Sequence, residues 1–201
     1  MGEKRNKKKF PYDTKKLIDN VNHKINSYSK EYVVYIKNQF FWESPKREKS
    51  LSKEMNVISK QIFTKRNPNA FKNIQFANFL KKKNVTELEI IGIDGNYCVR
   101  ATAIAASKTG YEVFLDENCI GISNAKKYEK SKLKMKSVGI KFLYITLSTP
   151  EPAFNHRSSA QIFYLSSVLS AFPQSEAYFE SYCRGNAGDK EKKLQRCFGW
   201  F

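Results

Sequence analysis

The residue best placed to do chemistry is Cys98. It follows a strand-like apolar run, Leu88 to Ile93, and a short polar turn of Asp94, Gly95, Asn96 and Tyr97. Behind it the apolar spacing changes to a helical period through Val99, Ala101, Ala105 and Ala106. A cysteine at a strand-to-helix junction can present its sulfur at the end of a sheet. The helix N-terminus there supplies N–H groups and positive potential, which favour a thiolate and can hold an oxyanion. Free cysteines are also among the most buried residues and most are inert, so an unreactive core thiol is the alternative. A thiolate attacking an amide or ester carbonyl needs an oxyanion hole, here the backbone N–H groups of Tyr97 and Cys98, and a proton donor for the leaving group. Histidine does not fill that role well. His23 lies on an expected helix far upstream and His156 in a proline-containing linker.

The elements that must position Cys98 alternate along the chain. A helix is expected to about Ser27, capped by Asp13 or Thr14, with Leu17, Ile18, Val21 and Ile25 on its apolar face. Tyr32 to Ile36 reads as a buried strand and Val57 to Phe63 as a short extended segment. A helix follows over residues 71 to 82, then the strand before Cys98. The Cys98 helix ends at Gly110, Tyr111 to Leu115 is a strand, a lysine-rich helix opens at Ser123 or Asn124, and Ile140 to Leu147 is a strand. Strands separated by helices in this way predict βαβ units: an α/β fold, doubly wound, with a mostly parallel sheet and helices on both faces. In such sheets the active crevice lies beyond the carboxyl ends of the strands, where Cys98 falls. We expect this domain to span residues 1–147. Residues 148–201 read as a linker, with Pro150 and Pro152, and a helical or irregular extension whose apolar helix covers residues 159 to 172.

Composition narrows the partners. Thirty-six basic against nineteen acidic residues give a formal charge of +17. Residues 148–201 contribute only +1, so the field sits in the first 147 residues, in runs such as Lys81 to Lys83 and Lys126 to Lys136. Such a field attracts nucleic acid, anionic lipid or an acidic protein partner. Support for nucleic acid is weak, because lysine outweighs arginine and no zinc finger, helix-turn-helix or aromatic nucleic-acid motif is present. No apolar run approaches a membrane span, so no membrane partner is expected. The charged N-terminus lacks the apolar core of a secretory signal, and Cys98, Cys119, Cys183 and Cys197 lack close metal-ligand spacing. A cytoplasmic protein with free thiols is the expectation.

The run from Leu88 through Ile93, Asp94, Gly95, Asn96, Tyr97 and Cys98 to Ala103 resembles the nucleophile segment of the isochorismatase-like cysteine hydrolases, which include nicotinamidases. Gly110 to Val113 and Asp116 to Cys119 continue the likeness. Lys65, Arg66, Asn67, Pro68, Asn69, Ala70 and Phe71 resemble the segment that holds the family's catalytic lysine. The resemblance, over about residues 11 to 143, implies a cysteine hydrolase acting on a C–N bond of a small amide or related molecule. Cys98 would be its nucleophile and Lys65 its electrostatic partner, and a non-proline cis peptide would join Ile93 to Asp94. It implies no cofactor. Metal-binding members carry histidines after the second strand, whereas Lys37, Asn38, Gln39 and Phe40 stand here, so no metal is expected either.

The chain also departs from the family. Members begin with a central strand ending in the aspartate of an Asp-Lys-Cys triad, and here the segment before Asp13 is too polar for such a strand. Strand and aspartate are expected to be missing, and the domain to be active or degenerate accordingly. Asp13 and Asp94 are the nearby carboxylates that could stand in. The gap in the sheet would be closed by direct pairing of the neighbours, by a tail strand such as Gln161 to Leu165, or by another subunit in a homo-oligomer. The alternative function is a non-catalytic basic binding protein for nucleic acid or an acidic partner.

Overall fold

A computed structural model of the chain describes residues 11–39, 50–143 and 160–166, the last through its backbone. All belong to one compact unit, Phe10–Val168. Helix α1 (Thr14–Asn26) leads to strand β1 (Val33–Asn38) and, beyond a loop, β2 (Ile62–Lys65). A short 3-10 turn (Ala70–Lys72) precedes α2 (Ile74–Lys82) and β3 (Glu87–Ile93). Then come α3 (Cys98–Lys108), β4 (Glu112–Asp116), a two-residue β5 (Ile120–Gly121), α4 (Ala125–Ser137), β6 (Lys141–Leu143) and β7 (Ala160–Ser166). The chain's own punctuation sets these bounds. Asp13 caps α1 through its side chain, Asn73 and Asn124 cap α2 and α4, and Gly110 leaves α3 with a φ of 94° that glycine adopts without strain.

The strands form a sheet in the order β2-β1-β7-β3-β4-β6, with β5 beside the end of β3, and every pairing is parallel. This is the expected α/β architecture with helices on both faces. Side chains of the central strands alternate between two buried layers. Val34, Ile36, Leu88, Ile90, Val113 and Leu115 face α2, α3 and α4, where Phe76, Leu80, Val99, Ala103, Ala106, Tyr128 and Met135 complete one apolar cluster. The alternate positions, including Glu89 and Asp116, face α1, which buries Leu17, Ile18, Val21 and Ile25. Among the described residues no helix is long and apolar enough to cross a membrane.

The tail departs from the expected helix. Residues 160–166 form β7, and β7 lies at the centre of the sheet. It pairs with β1 from Val33↔Ile162 to Lys37↔Ser166, and with β3 from Glu87↔Ala160 to Gly92↔Leu165. The helical spacing of Ile162, Phe163 and Leu165 was compatible with either state, as short apolar runs are. What decides is the vacancy between β1 and β3, whose facing N–H and C=O groups would otherwise lack partners. Of the three ways to close the sheet, the tail strand is the one adopted. The expected strand at Ile140 to Leu147 is observed as β6 to Leu143, and its remainder lies outside the described residues. So do His156, Cys183 and Cys197. The two-residue β5 was not foreseen.

The α1 face holds a buried ionic cluster. Lys24 Nζ lies 3.4 Å from Glu89 Oε1 and 3.1 Å from Asp116 Oδ2, and Tyr28 donates its hydroxyl to Glu89 Oε2 at 2.5 Å. Glu89 and Asp116 are 1% and 0% exposed, so one ammonium serves two carboxyl groups away from water. Burial pushes Glu89 well up, opposed in part by Lys24 and the Tyr28 hydrogen bond. Burial alone would lower Lys24, but Glu89 and Asp116 outweigh it and the lysine is raised. Burial likewise raises the neighbouring Cys119 thiol, with Asp116 adding to it.

Lys24→Met, which strands the buried acids, should destabilise the fold by about 3–5 kcal/mol in urea unfolding. Glu89 holds its proton more tightly folded than unfolded, so stability should fall as pH rises from the ordinary carboxylate range through its raised value. The contribution of Lys24 is lost only above the ordinary lysine range, so the two effects occupy separate windows. Glu89→Gln should flatten the lower window, and an unchanged slope in that variant would refute the assignment. For β7, Ile162→Pro removes a ladder donor between two strands and should cost at least about 1–3 kcal/mol by the same measurement. An Ile162→Pro chain as stable as the parent would show that the sheet does not need β7.

Candidate active site

Cys98 is the first residue of α3, and Lys65 is the last residue of β2. They are 33 residues apart in sequence, yet Lys65 Nζ donates to Cys98 Sγ at 3.1 Å. Both are buried, at 2% exposure for Lys65 and 9% for Cys98. The ammonium has two further acceptors, the Asn67 carbonyl at 2.9 Å and Asn38 Oδ1 at 3.4 Å. Asn38 ends β1 and pairs in register with Lys65, which puts its amide beside the lysine. Thr102 on α3 ties the two segments together. Its hydroxyl accepts from the Ala70 N–H at 3.1 Å and donates to the Pro68 carbonyl at 3.2 Å. The loop after Lys65 is thereby fixed to the cysteine helix.

The turn before Cys98 is built from side-chain and glycine chemistry. Asp94 Oδ1 accepts from the Asn96 N–H at 2.7 Å, and the Asp94 carbonyl accepts from the N–H groups of Tyr97 and Val99. The Ile93–Asp94 peptide is cis. Asn96 reaches across to the start of α4, accepting from Asn124 N–H and Ser123 Oγ while donating to the Asn124 carbonyl. Gly95 has no room for a side chain, since a Cβ there would sit 2.8 Å from Ile120 Cγ2 and 2.9 Å from the buried Tyr128 ring. These contacts hold the turn and aim α3.

Of the residues expected at the site, Cys98 and Lys65 meet. The Cys98 N–H lies in the first turn of α3, where N–H groups have no intrahelical acceptor. The Tyr97 N–H instead donates to the Asp94 carbonyl at 3.1 Å, so the second expected oxyanion donor is engaged as the turn stands. Asp13 is occupied as the cap of α1, accepting from the Lys15 and Lys16 N–H groups. Among the described residues, the side-chain partners of Cys98 and Lys65 include no carboxylate. No three His, Cys, Asp or Glu side chains converge among the described residues. Asn38 and Thr102 escaped the sequence reading, because an amide and a hydroxyl within ordinary apolar patterns carry no local signal.

With this geometry in view, comparisons with known proteins are informative. A model of the isochorismatase domain matches residues 7–146. The chain finds no match among the curated proteins. Among solved structures it is similar to an isochorismatase family protein at a TM-score of 0.56 and 19% identity, over 66% of this chain and 86% of that one. It is similar to the nicotinamidase SaPncA from Staphylococcus aureus at 0.55 and 17%, over 66% and 88%. The nicotinamidase/pyrazinamidase PncA from Bacillus subtilis gives 0.55 and 15%, over 65% and 85%. At these identities the structural likenesses speak for the fold. The family model, by contrast, covers well over half of the sequence, including both Lys65 and Cys98, and by that match the chain belongs to the isochorismatase family.

Proposed function

We propose that the chain is a cysteine hydrolase of small amides or related small molecules, with Cys98 as nucleophile and Lys65 as its electrostatic partner. The observation that carries this reading is the 3.1 Å contact between two buried groups at the carboxyl end of a parallel sheet. A buried ammonium needs a counter-charge. Among the described residues, the other acceptors of Lys65 are a neutral amide and a neutral carbonyl, so Cys98 is the neighbour whose ionisation would supply the counter-charge. In the reaction the sulfur would form a C–S bond to the substrate carbonyl carbon while the π electrons move to oxygen. The Cys98 N–H would hold that oxygen, joined by the Tyr97 N–H once released from Asp94. Collapse would break the C–N bond, the amine taking its proton from solvent water, and a second water would add to the thioester carbonyl, releasing the carboxylic acid and returning the sulfur as thiolate.

We read β7 as the replacement for the central strand that the family resemblance places at the N-terminus. Its last residue is Ser166, in register with Lys37 and one step beyond the Gly92↔Leu165 pair, where the resemblance leads one to expect an aspartate. On this reading the site lacks the carboxylate that delivers the leaving-group proton. Such general acid–base assistance is worth about 10²–10⁴ in rate. Substrates whose leaving group needs no proton should therefore be favoured over amides. The two-part division of the chain, with residues 148–201 as an extension, also stands as a proposal, modified by the return of β7 to the sheet.

Two measurements test the reading. An activated ester such as p-nitrophenyl acetate should give a burst and an acetyl adduct on Cys98 by mass spectrometry, while primary amides turn over slowly. Cys98→Ala should lose both reactions, and undiminished hydrolysis in that variant would sink the assignment. Iodoacetamide at neutral pH should label Cys98 faster than the buried Cys119, and Lys65→Met should slow the labelling of Cys98 specifically. Equal labelling rates with and without the lysine would remove Lys65 from the chemistry.

A further inference from the structure

Among the described residues, the helices on one side of the sheet carry a large excess of basic side chains. Helices α2, α3 and α4 share the apolar cluster on one face, and α3 touches both α4 and the turn leading into α2. Together they carry ten lysine and arginine residues and one acid, Glu129: two basic residues in α2, two in α3 and six in α4. On α4 the buried side is Tyr128 and Met135, so Lys126, Lys130 and Lys134 form a row on the solvent side at four-residue intervals, about 6 Å apart. Lys127 flanks the row, whereas Lys132 is drawn back to Glu117. Lys134 and Lys136 in the last turn suit the helix dipole, but the start of the row does not. The first turn of α4 contains Lys126 and Lys127 and no acid, which sets positive charge on the positive end of the helix dipole.

We propose that the outer surface of α2, α3 and α4 docks duplex nucleic acid through its phosphates, without reading bases. A row of point charges on a rigid helix suits a regularly spaced polyanion, and lysine, unlike the arginine fork, gives little base discrimination. The chemistry of the surface bears on two other anionic partners, a lipid surface and single strands. Its highly exposed apolar residues, Ile74 and Leu133, stand on α2 and α4 with α3 between them, so there is no continuous apolar wedge for a lipid surface. The large exposed hydrophobic residues among those described include no aromatic, so fully exposed rings for stacking single-stranded bases are not among them. This proposal is independent of the hydrolase reading.

The test is fluorescence anisotropy with a labelled duplex of arbitrary sequence, using the full chain between about 50 and 200 mM salt, the range over which such contacts weaken steeply. Lys126→Gln/Lys130→Gln should lower the slope of log K against log salt by about 1.8, and weaken binding on the order of tenfold or more near 0.1 M. Lys15→Gln/Lys16→Gln, which removes equal charge from α1 on the opposite face, should leave the slope unchanged, as should Cys98→Ala. Thermal melts confirm that each variant is folded. Equal losses in the two lysine pairs would assign binding to net charge alone and overturn the proposal. So would the absence of duplex binding at the lowest salt, or binding to phosphatidylserine vesicles without binding to duplex.

Discussion

Backbone pairing of β7 with β1 on one side and β3 on the other joins what would otherwise be two half-sheets. The first half carries Asn38 and Lys65, and the second carries the turn and helix of Cys98. Their meeting at 3.1 Å therefore depends on a strand supplied from far along the chain. A parallel central strand leaves no alternative partner in solvent for its neighbours' buried amides, so the vacancy and the strand that fills it are energetically coupled. The Thr102 bonds to Pro68 and Ala70 add a second tie between the halves, at the level of the site itself.

The two faces of the sheet solve burial in different ways. Toward α2, α3 and α4 the contact is apolar throughout, and the small residues Ala103 and Ala106 let α3 approach the strands closely. Toward α1 the layer contains the Lys24, Glu89 and Asp116 cluster, where two acids share one ammonium. Such clusters are weak sources of net stability, because desolvation offsets attraction. They do make one registry of helix on sheet much better than its neighbours, since any shift of α1 strands a buried charge. The basic outer surface of the first face and this internal balance on the second are separate electrostatic systems with the sheet between them.

Among the described residues, the partners of Lys65 and Cys98 at the sheet end are few and specific. Lys65 is satisfied by an amide, a carbonyl and the thiol, a set that fixes its position while leaving the balance of charge to Cys98. Catalytic power in such a site would come from electrostatic preorganisation rather than from proton transfer.

The sequence alone determined what is local. The strand, turn and helix around Cys98 were legible because periodicity and turn residues act over a few positions; the stop at Gly110 was legible for the same reason, and the caps of α1 and α4 to within one residue, the structure choosing Asp13 over Thr14 and Asn124 over Ser123. Lys65 could be singled out only through family resemblance, since a lysine after a short strand has no signature of its own. Tertiary structure decided the rest. It turned residues 160–166 from an expected helix into a central strand, because a vacancy between two strands outweighs the weak preference of a seven-residue apolar run. It made Glu89, one charged residue in an apolar strand, the partner of Lys24, because alternation assigns it to the α1 face. It also gathered lysines scattered over three helices onto one surface, because successive right-handed crossovers in the same direction place their helices on the same side of the sheet.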